Sequence, residues 1–169
     1  MRRPALAIVI WVGGVDFIAR NVADLGLHVF RRVSDTDRQR LRDHELAQWL
    51  GAPNPSTTTY RLIESTMQDW SIYWNAYWLK VRESDRIGLV RVPPEQMAVK
   101  GGLLPSAYVW TVDGREKVLA PSEVVHFGGY DPCDPLVGLS PMETLRRILA
   151  DEHAGGEDRQ EFWRDAARF

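Results

Sequence analysis

The hydrophobic period of this chain changes at one point, and that change constrains the fold more than any other feature. Ile63, Met67, Trp70 and Trp74 recur at steps of four, three and four, which puts bulky apolar groups on one stripe of a helix. After Asn75 the pattern alternates, with Tyr77, Leu79 and Val81 on one side and Trp78, Lys80 and Arg82 on the other, so a strand is predicted. The stripe of the helix belongs to a core or to a subunit interface.

Upstream, Gly51-Ala52-Pro53-Asn54-Pro55 is a strong break, because two prolines remove donors and push the residues before them out of helical geometry. Thr57 or Thr58 can cap the helix that follows. A first helix is predicted from Pro4 to about Leu25, ended by Gly26, with Ile10, Val15, Ile18, Val22 and Leu25 on its buried face. Arg20, Asn21 and Asp24 face out. Leu27 to Arg32 reads as a strand, Ser34 to Asp43 as a solvated polar loop and His44 to Leu50 as a short helix.

Downstream, Ile87 to Val92 is the partner strand across a turn at Ser84-Asp85, and Pro93-Pro94 ends it. Met97 to Lys100 adds a short strand. Ala107 to Val112 and Lys117 to Leu119 flank Asp113-Gly114, a dipeptide that accepts positive φ in a tight hairpin, and Val124 to Phe127 supplies another strand. Breakers crowd the segment from Gly128 to Leu139, so it reads as a loop. Ser140, Pro141 and Glu143 then form a capping box for a long C-terminal helix carrying Met142, Leu145, Ile148 and Leu149. That helix bends at Gly155-Gly156 and resumes with Phe162, Ala166 and Phe169. The predicted class is α+β: antiparallel strands and hairpins packed against several helices, ending in a long C-terminal helix.

Length supports one domain over residues 1–169. The formal net charge of −2 gives no general attraction to phosphate, which argues against tight DNA binding. Cys133 is the only cysteine, so no intrachain disulfide can form. Arg2 and Arg3 before the apolar run from Ala5 to Val12 have the order of a signal peptide. The run is shorter than the roughly 20 residues that span a bilayer, and Asp16 and Arg20 continue a helical pattern, so a packed helix is preferred. A membrane-anchored adaptor using Ala5 to Val15 is a minor alternative.

Chemistry-bearing motifs are sparse. None of the Gly-Gly pairs at Gly13, Gly101, Gly128 and Gly155 sits in a phosphate-binding loop. His126 with Asp131, Cys133 and Asp134 offers reasonable zinc ligands, and the rival function is a small metal-dependent hydrolase using His126, Asp131 and Asp134. The blander reading is preferred: His126 is a core-lining residue of an apolar strand, and Asp131-Pro132-Cys133-Asp134-Pro135 is a proline-led turn. Ser140, His126 and Asp131 can be written as a triad, but Ser140 already has a capping role and no nucleophile elbow presents it. Asp16, Asp24 and Glu64 are read as solvated acids. No catalytic residue, metal site or cofactor is therefore predicted. Trp49, Trp70, Trp74, Trp78 and Trp110 exceed the needs of one small core, and Trp70, Trp74, Trp78 and Trp110 are assigned to a subunit interface or to the core.

Several strings, in order, carry a family resemblance. They are Ile18-Ala19-Arg20-Asn21-Val22-Ala23, Leu27-His28-Val29-Phe30-Arg31-Arg32, Pro53-Asn54-Pro55 and Asn75-Ala76-Tyr77-Trp78-Leu79-Lys80-Val81-Arg82. Pro93-Pro94-Glu95, Val125-His126-Phe127, Gly138-Leu139-Ser140-Pro141 and Phe162-Trp163-Arg164 follow. Singly each is weak, but this succession resembles the portal proteins of long-tailed double-stranded DNA phages and covers nearly the whole chain. Members commonly have glycine where this chain has Trp74, and proline where it has Gly26. A Gly-containing turn usually follows the aromatic helix end, where Asp165-Ala166 continues here.

The resemblance implies a structural, non-enzymatic subunit of a ring, usually of twelve copies, at one capsid vertex. Its implied partners are further copies of itself, the terminase large subunit, the major capsid or scaffold protein and the head-tail connector. Double-stranded DNA would pass through the channel in transient, non-specific contact, with no membrane involved. The location implied is the virion, and the host bacterial cytoplasm during assembly. These residues resemble the peripheral wing region, with stem and clip beyond Phe169. Near-neutral charge suits a conduit, because many phosphate contacts would hold the genome and oppose sliding.

Overall fold

A computed structural model describes residues 3–83 and 86–147. The elements run α1 (Arg3–Asp24), β1 (Phe30–Arg32), β2 (Arg38–Arg40), α2 (Glu45–Gly51), α3 (Thr59–Tyr73), β3 (Asn75–Glu83), β4 (Arg86–Val92), β5 (Met97–Gly101), β6 (Pro105–Val112), β7 (Arg115–Leu119) and β8 (Val124–Gly128). A fourth helix opens at residues 141–147. The class is mixed α and β with three small antiparallel sheets, ordered β1-β2, β4-β3-β8 and β5-β6-β7. The rest of the long C-terminal helix, including Gly155-Gly156 and the stripe at Phe162, Ala166 and Phe169, lies outside the described residues, as does the turn at Ser84-Asp85.

The switch of period organises the layers. β3 is the central strand of its sheet, paired along both edges, and other layers cover both of its faces: Tyr77, Trp78 and Leu79 are all buried. Tyr77 and Leu79 point to one side, where they meet Val92, Val124 and, from the second sheet, Met97, Tyr108 and Leu119. Trp78 points to the other, where it joins Leu89, Leu62 and Ile63 of α3 and Ala23 of α1. A helical layer therefore covers one face of the β4-β3-β8 sheet, and the β5-β6-β7 sheet covers the opposite face. Complete burial of an aliphatic side chain such as Leu62 or Leu119 contributes about 1.5–3 kcal/mol, so these two clusters hold the layers together.

Local signals explain the boundaries. Thr58 caps α3 by accepting a hydrogen bond from the Arg61 N–H at 3.3 Å. The proline break ahead of it docks on the edge of the sheet. The Leu89 N–H donates to the Pro53 carbonyl at 2.7 Å, and Asn54 Nδ2 donates to the Leu89 carbonyl at 2.7 Å. Asp113 and Gly114 both take positive φ, 49° and 72°, in the hairpin that joins β6 to β7.

Three expectations need correction. The buried face of α1 is Val15, Ala19 and Ala23, whereas Ile18 and Leu25 are 51% and 77% exposed. The side chain of Ile10 lies outside the described part. Alanines win because α1 packs directly on α3, and a small side chain lets two backbones approach where a branched one holds them apart. The strand after Gly26 covers only Phe30–Arg32. The solvated loop from Ser34 to Asp43 contains β2, which pairs with β1 in the register Phe30↔Arg40 and Arg32↔Arg38. Polarity had suggested a loop, but a two-stranded ribbon satisfies its backbone across the ladder without burying a face.

Candidate functional site

The described residues most tightly organised around polar chemistry lie at the junction of α3, β3 and the loop from Gly128 to Leu139. Trp74 ends α3 in the left-handed conformation, φ 51° and ψ 25°, and its N–H donates to the Trp70 carbonyl at 2.8 Å. This is the geometry that glycine adopts without strain. A non-glycine residue there costs about 1–2 kcal/mol, which the rest of the junction must offset. The Trp74 carbonyl accepts the Gly129 N–H at 2.7 Å, and its ring lies 6.0 Å from that of Trp70.

Asn75 follows and is 8% exposed. Its Nδ2 donates to the carbonyls of Tyr73 at 2.8 Å and Gly138 at 2.9 Å. Two carbonyl acceptors fix the amide orientation, so Oδ1 faces the Gly138 N–H at 2.9 Å and His126 Nε2 at 3.1 Å. His126 therefore donates from Nε2, leaving Nδ1 to accept from the Tyr108 hydroxyl at 3.4 Å. The imidazole stacks on Tyr77 with centroids 4.4 Å apart. Burial holds its pKa below the usual histidine value and raises those of the Tyr77 and Tyr108 hydroxyls. The arrangement uses neutral histidine as a bridge between the two sheets and the loop.

A pH dependence follows with a defined sign. With its folded pKa below the unfolded value of 6.5, His126 binds fewer protons in the folded chain than in the unfolded one as pH falls. Its contribution is fully present above pH 6.5 and is lost as pH falls through the folded pKa. Thermal unfolding should show the midpoint falling on acidification below pH 6.5, with a shallower fall in His126→Phe, which keeps a stacking ring but cannot titrate. Equal slopes for the two proteins would refute this assignment.

The proposed hydrolytic constellation does not assemble. Asp131 Oδ1 accepts the Cys133 N–H at 2.7 Å and Asp134 Oδ1 accepts the Leu136 N–H at 2.8 Å, so both carboxylates close turns in their own loop. Among the described residues no group of three His, Cys, Asp or Glu side chains could hold a metal ion. Ser140 donates its hydroxyl to the Ile72 carbonyl at 2.7 Å while accepting the Glu143 N–H at 3.3 Å. Only half of the predicted capping box forms, because the Glu143 carboxylate turns to Arg147 at 2.7 Å.

A cleft of about 480 Å³ lies between α1, α3 and Pro93-Pro94, with each of its carboxylates engaged. Asp69, 4% exposed, takes both Arg91 Nε and a terminal nitrogen of Arg91 at 2.6 Å. Burial pushes the Asp69 carboxyl above its usual pKa against the pull of Arg91, and Glu95 accepts the Tyr73 hydroxyl at 2.8 Å. Asp16 pairs with Arg20 at 2.9 Å. Of the acids read as solvated, Glu64 is instead buried and pairs with Arg61 at 2.8 Å. Sequence reasoning missed the Asp69–Arg91 pair, because 22 positions separate its members and only the packing of α3 on β4 joins them.

The tryptophans divide. Trp78 is 5% exposed and donates to Thr66 Oγ1 at 2.7 Å, while its ring meets Phe127 edge-on at 4.8 Å. Trp70, Trp74 and Trp110 are half-buried, and Trp110 donates to Gln96 Oε1 at 3.2 Å. No helix among the described residues is long and apolar enough to cross a membrane.

Engaged acids and a bridging neutral histidine describe side chains used for packing and pairing within the fold. The family model for the phage portal protein matches residues 12–169, and the chain belongs to that family. Portal proteins are structural proteins of the virion and not enzymes. No curated protein matches the chain. Solved structures do: one from the neck of an empty GTA particle, computed with C6 symmetry, superposes with a TM-score of 0.66 at 22% identity, over 87% of this chain and 40% of that one. A chain from the virion of a native gene transfer agent particle gives 0.62 at 22% identity, over 87% and 39%. Another, from the neck of the native particle computed with C12 symmetry, gives 0.60 at 19% identity, over 87% and 39%. At these identities the likeness is one of fold, and the chain spans about 40% of the length of the structures it matches.

Proposed function

We propose that this chain is the wing-like, N-terminal part of a portal subunit and forms a single domain. In this reading the full protein builds a ring of about twelve copies at one capsid vertex, through which double-stranded DNA is packaged and ejected. The ring docks the terminase large subunit during packaging and the head-tail connector afterwards, and it meets the major capsid or scaffold protein around its rim. The site of action is the virion, reached from the bacterial cytoplasm during assembly. The observation that carries the reading is the family match over residues 12–169. The likeness to chains in particle necks, one of them computed with C12 symmetry, supports it.

Surface chemistry supports association as well. Phe17 on α1, Leu25 just past its end, and Leu103 and Leu104 at the turn between β5 and β6 are each at least 69% exposed. Adjacent apolar groups held in water favour an interface that covers them. A cyclic ring needs two different complementary surfaces on each copy, and these groups lie on separate elements. Half-buried Trp70 and Trp74 are proposed as further interface aromatics. Electron microscopy of the full-length gene product should show closed rings, and a stable monomer at about micromolar concentration would overturn the reading.

A further inference from the structure

The turn between β5 and β6 holds two leucines in water. Leu103 and Leu104 are 81% and 76% exposed, and no residue from Gly101 to Pro105 carries a charge. The turn folds back closely on itself: a Cβ at Gly101 would lie 3.0 Å from the Ser106 nitrogen and would collide with the Leu104 carbonyl oxygen. Ser106 donates its hydroxyl to the Lys100 carbonyl at 3.1 Å, and the ring of Pro105 fixes its own φ. Leucines presented on a turn already ordered lose little freedom when they are covered.

A groove of about 360 Å³ lies between the β1-β2 ribbon and α2. Leu27, Val29, Leu41, Ala47 and Leu50 line it, and Gly26 and Gly51 add no side chain to its walls. Exposed His28 and Arg40, 2.8 Å apart, supply a polar rim, so the groove has the apolar centre and polar edge of a docking surface. Leu50 packs with the cluster around Trp78, on the helical face of the β4-β3-β8 sheet, whereas the β5-β6-β7 sheet covers the opposite face. One copy therefore cannot fill its own groove with its own turn. Truncating a buried leucine leaves a cavity of about 150 Å³, so two leucine side chains match the groove in size. We propose that Leu103 and Leu104 of one copy seat in the groove between the β1-β2 ribbon and α2 of the next copy. The uncharged tip carries no unpaired charge into the apolar centre. A knob and a socket on different parts of the same subunit join identical copies head to tail, the kind of contact that closes into a ring. The choice of a second copy as occupant rests on the portal reading, whereas the turn, the groove and their match in size do not.

The test uses the full-length gene product in a cysteine-free background that includes Cys133→Ser. With Leu103→Cys and Ala47→Cys in the same chain, oxidation should give a ladder of covalent multimers on a non-reducing gel. The two single variants, co-expressed, should stop at a covalent dimer, and each expressed alone should stay uncrosslinked. Covalent dimers of either single variant alone would mean that like surfaces meet, which overturns the proposal. Leu103→Asp/Leu104→Asp should cut the fraction of protein in rings at least about tenfold. From the groove side Gly51→Leu should do the same, since a Cβ there meets nothing within 4 Å and the added side chain fills the groove without an internal clash. Val118→Asp, at a position 69% exposed on β7, is the control and should keep wild-type rings. Circular dichroism confirms that each variant folds. Wild-type rings with no ladder, or rings that persist in the aspartate variant, would sink this contact and leave the portal reading standing, whereas a monomeric wild type would overturn both.

Discussion

Gly138→Ala should unfold this chain at markedly lower urea concentration, with a loss of about 3 kcal/mol or more. A Cβ at Gly138 would collide with the Trp74 carbonyl oxygen and come within 2.8 Å of the Gly129 nitrogen and 2.9 Å of its Cα. All three are backbone atoms, so no side-chain rotation relieves the contact. Retreat of the loop would break the Gly129 N–H to Trp74 carbonyl bond and pull Gly138 away from Asn75. Gly102→Ala is the control, since nothing lies within 4 Å of a Cβ there, and it should change stability by no more than about 0.5 kcal/mol. Similar losses in the two variants would show that the loop is not packed as described.

The second large effect belongs to Asn75. Removing its carboxamide in Asn75→Ala leaves the Gly138 N–H and carbonyl, the Tyr73 carbonyl and His126 Nε2 without this partner. Each buried polar group stripped of its partner costs about 1–3 kcal/mol, and shared water access reduces the sum, so a loss of about 3 kcal/mol is expected. Asn75→Asp separates shape from hydrogen bonding: it keeps the acceptor for Gly138 and His126 but turns a charged oxygen toward two carbonyls, and should be comparably destabilised. Amide hydrogen exchange at Gly138 gives the local readout, which should quicken in both variants. Wild-type protection there would mean that the loop is held by something other than Asn75. Gly138 and Asn75 act on the same contact, so the double variant should lose less than the two single losses added together.

These effects show where the sequence was legible. Alternation in residues 77–82 correctly assigned the faces of β3, because period two follows from strand geometry and needs no knowledge of neighbours. Asp113-Gly114 was legible for the same local reason: two positive φ values in a row restrict which residues can serve. The capping of α3 by Thr58 was narrowed to two adjacent threonines. On α1, hydrophobicity alone favoured Ile18 and Leu25 over Ala19 and Ala23. The outcome depended on how closely α3 approaches, which the sequence of α1 does not encode.

The junction at Trp74, Asn75 and Gly138 gave only faint local signals. Glycine in a run of breakers announces a loop, but not which glycine has backbone atoms against its Cα. The left-handed turn at Trp74, φ 51°, was not read from the sequence, because tryptophan is not a residue that announces positive φ. Asn75 gave no hint, because its partners Gly138 and His126 lie 63 and 51 residues away.

The sequence by itself determined the change from helix to strand, the pairing of β3 with β4 and of β6 with β7, the turns at Asp131 and Asp134, and the ordered resemblance to portal proteins. Each depends on residues close along the chain or on the order of short strings. Only the tertiary structure decided that Asn75 fastens the loop, that His126 is a neutral bridge, and that Asp69 and Arg91 meet. Those facts depend on which distant atoms come within about 3 Å, a range over which hydrogen bonds and steric contact act and which no periodicity records.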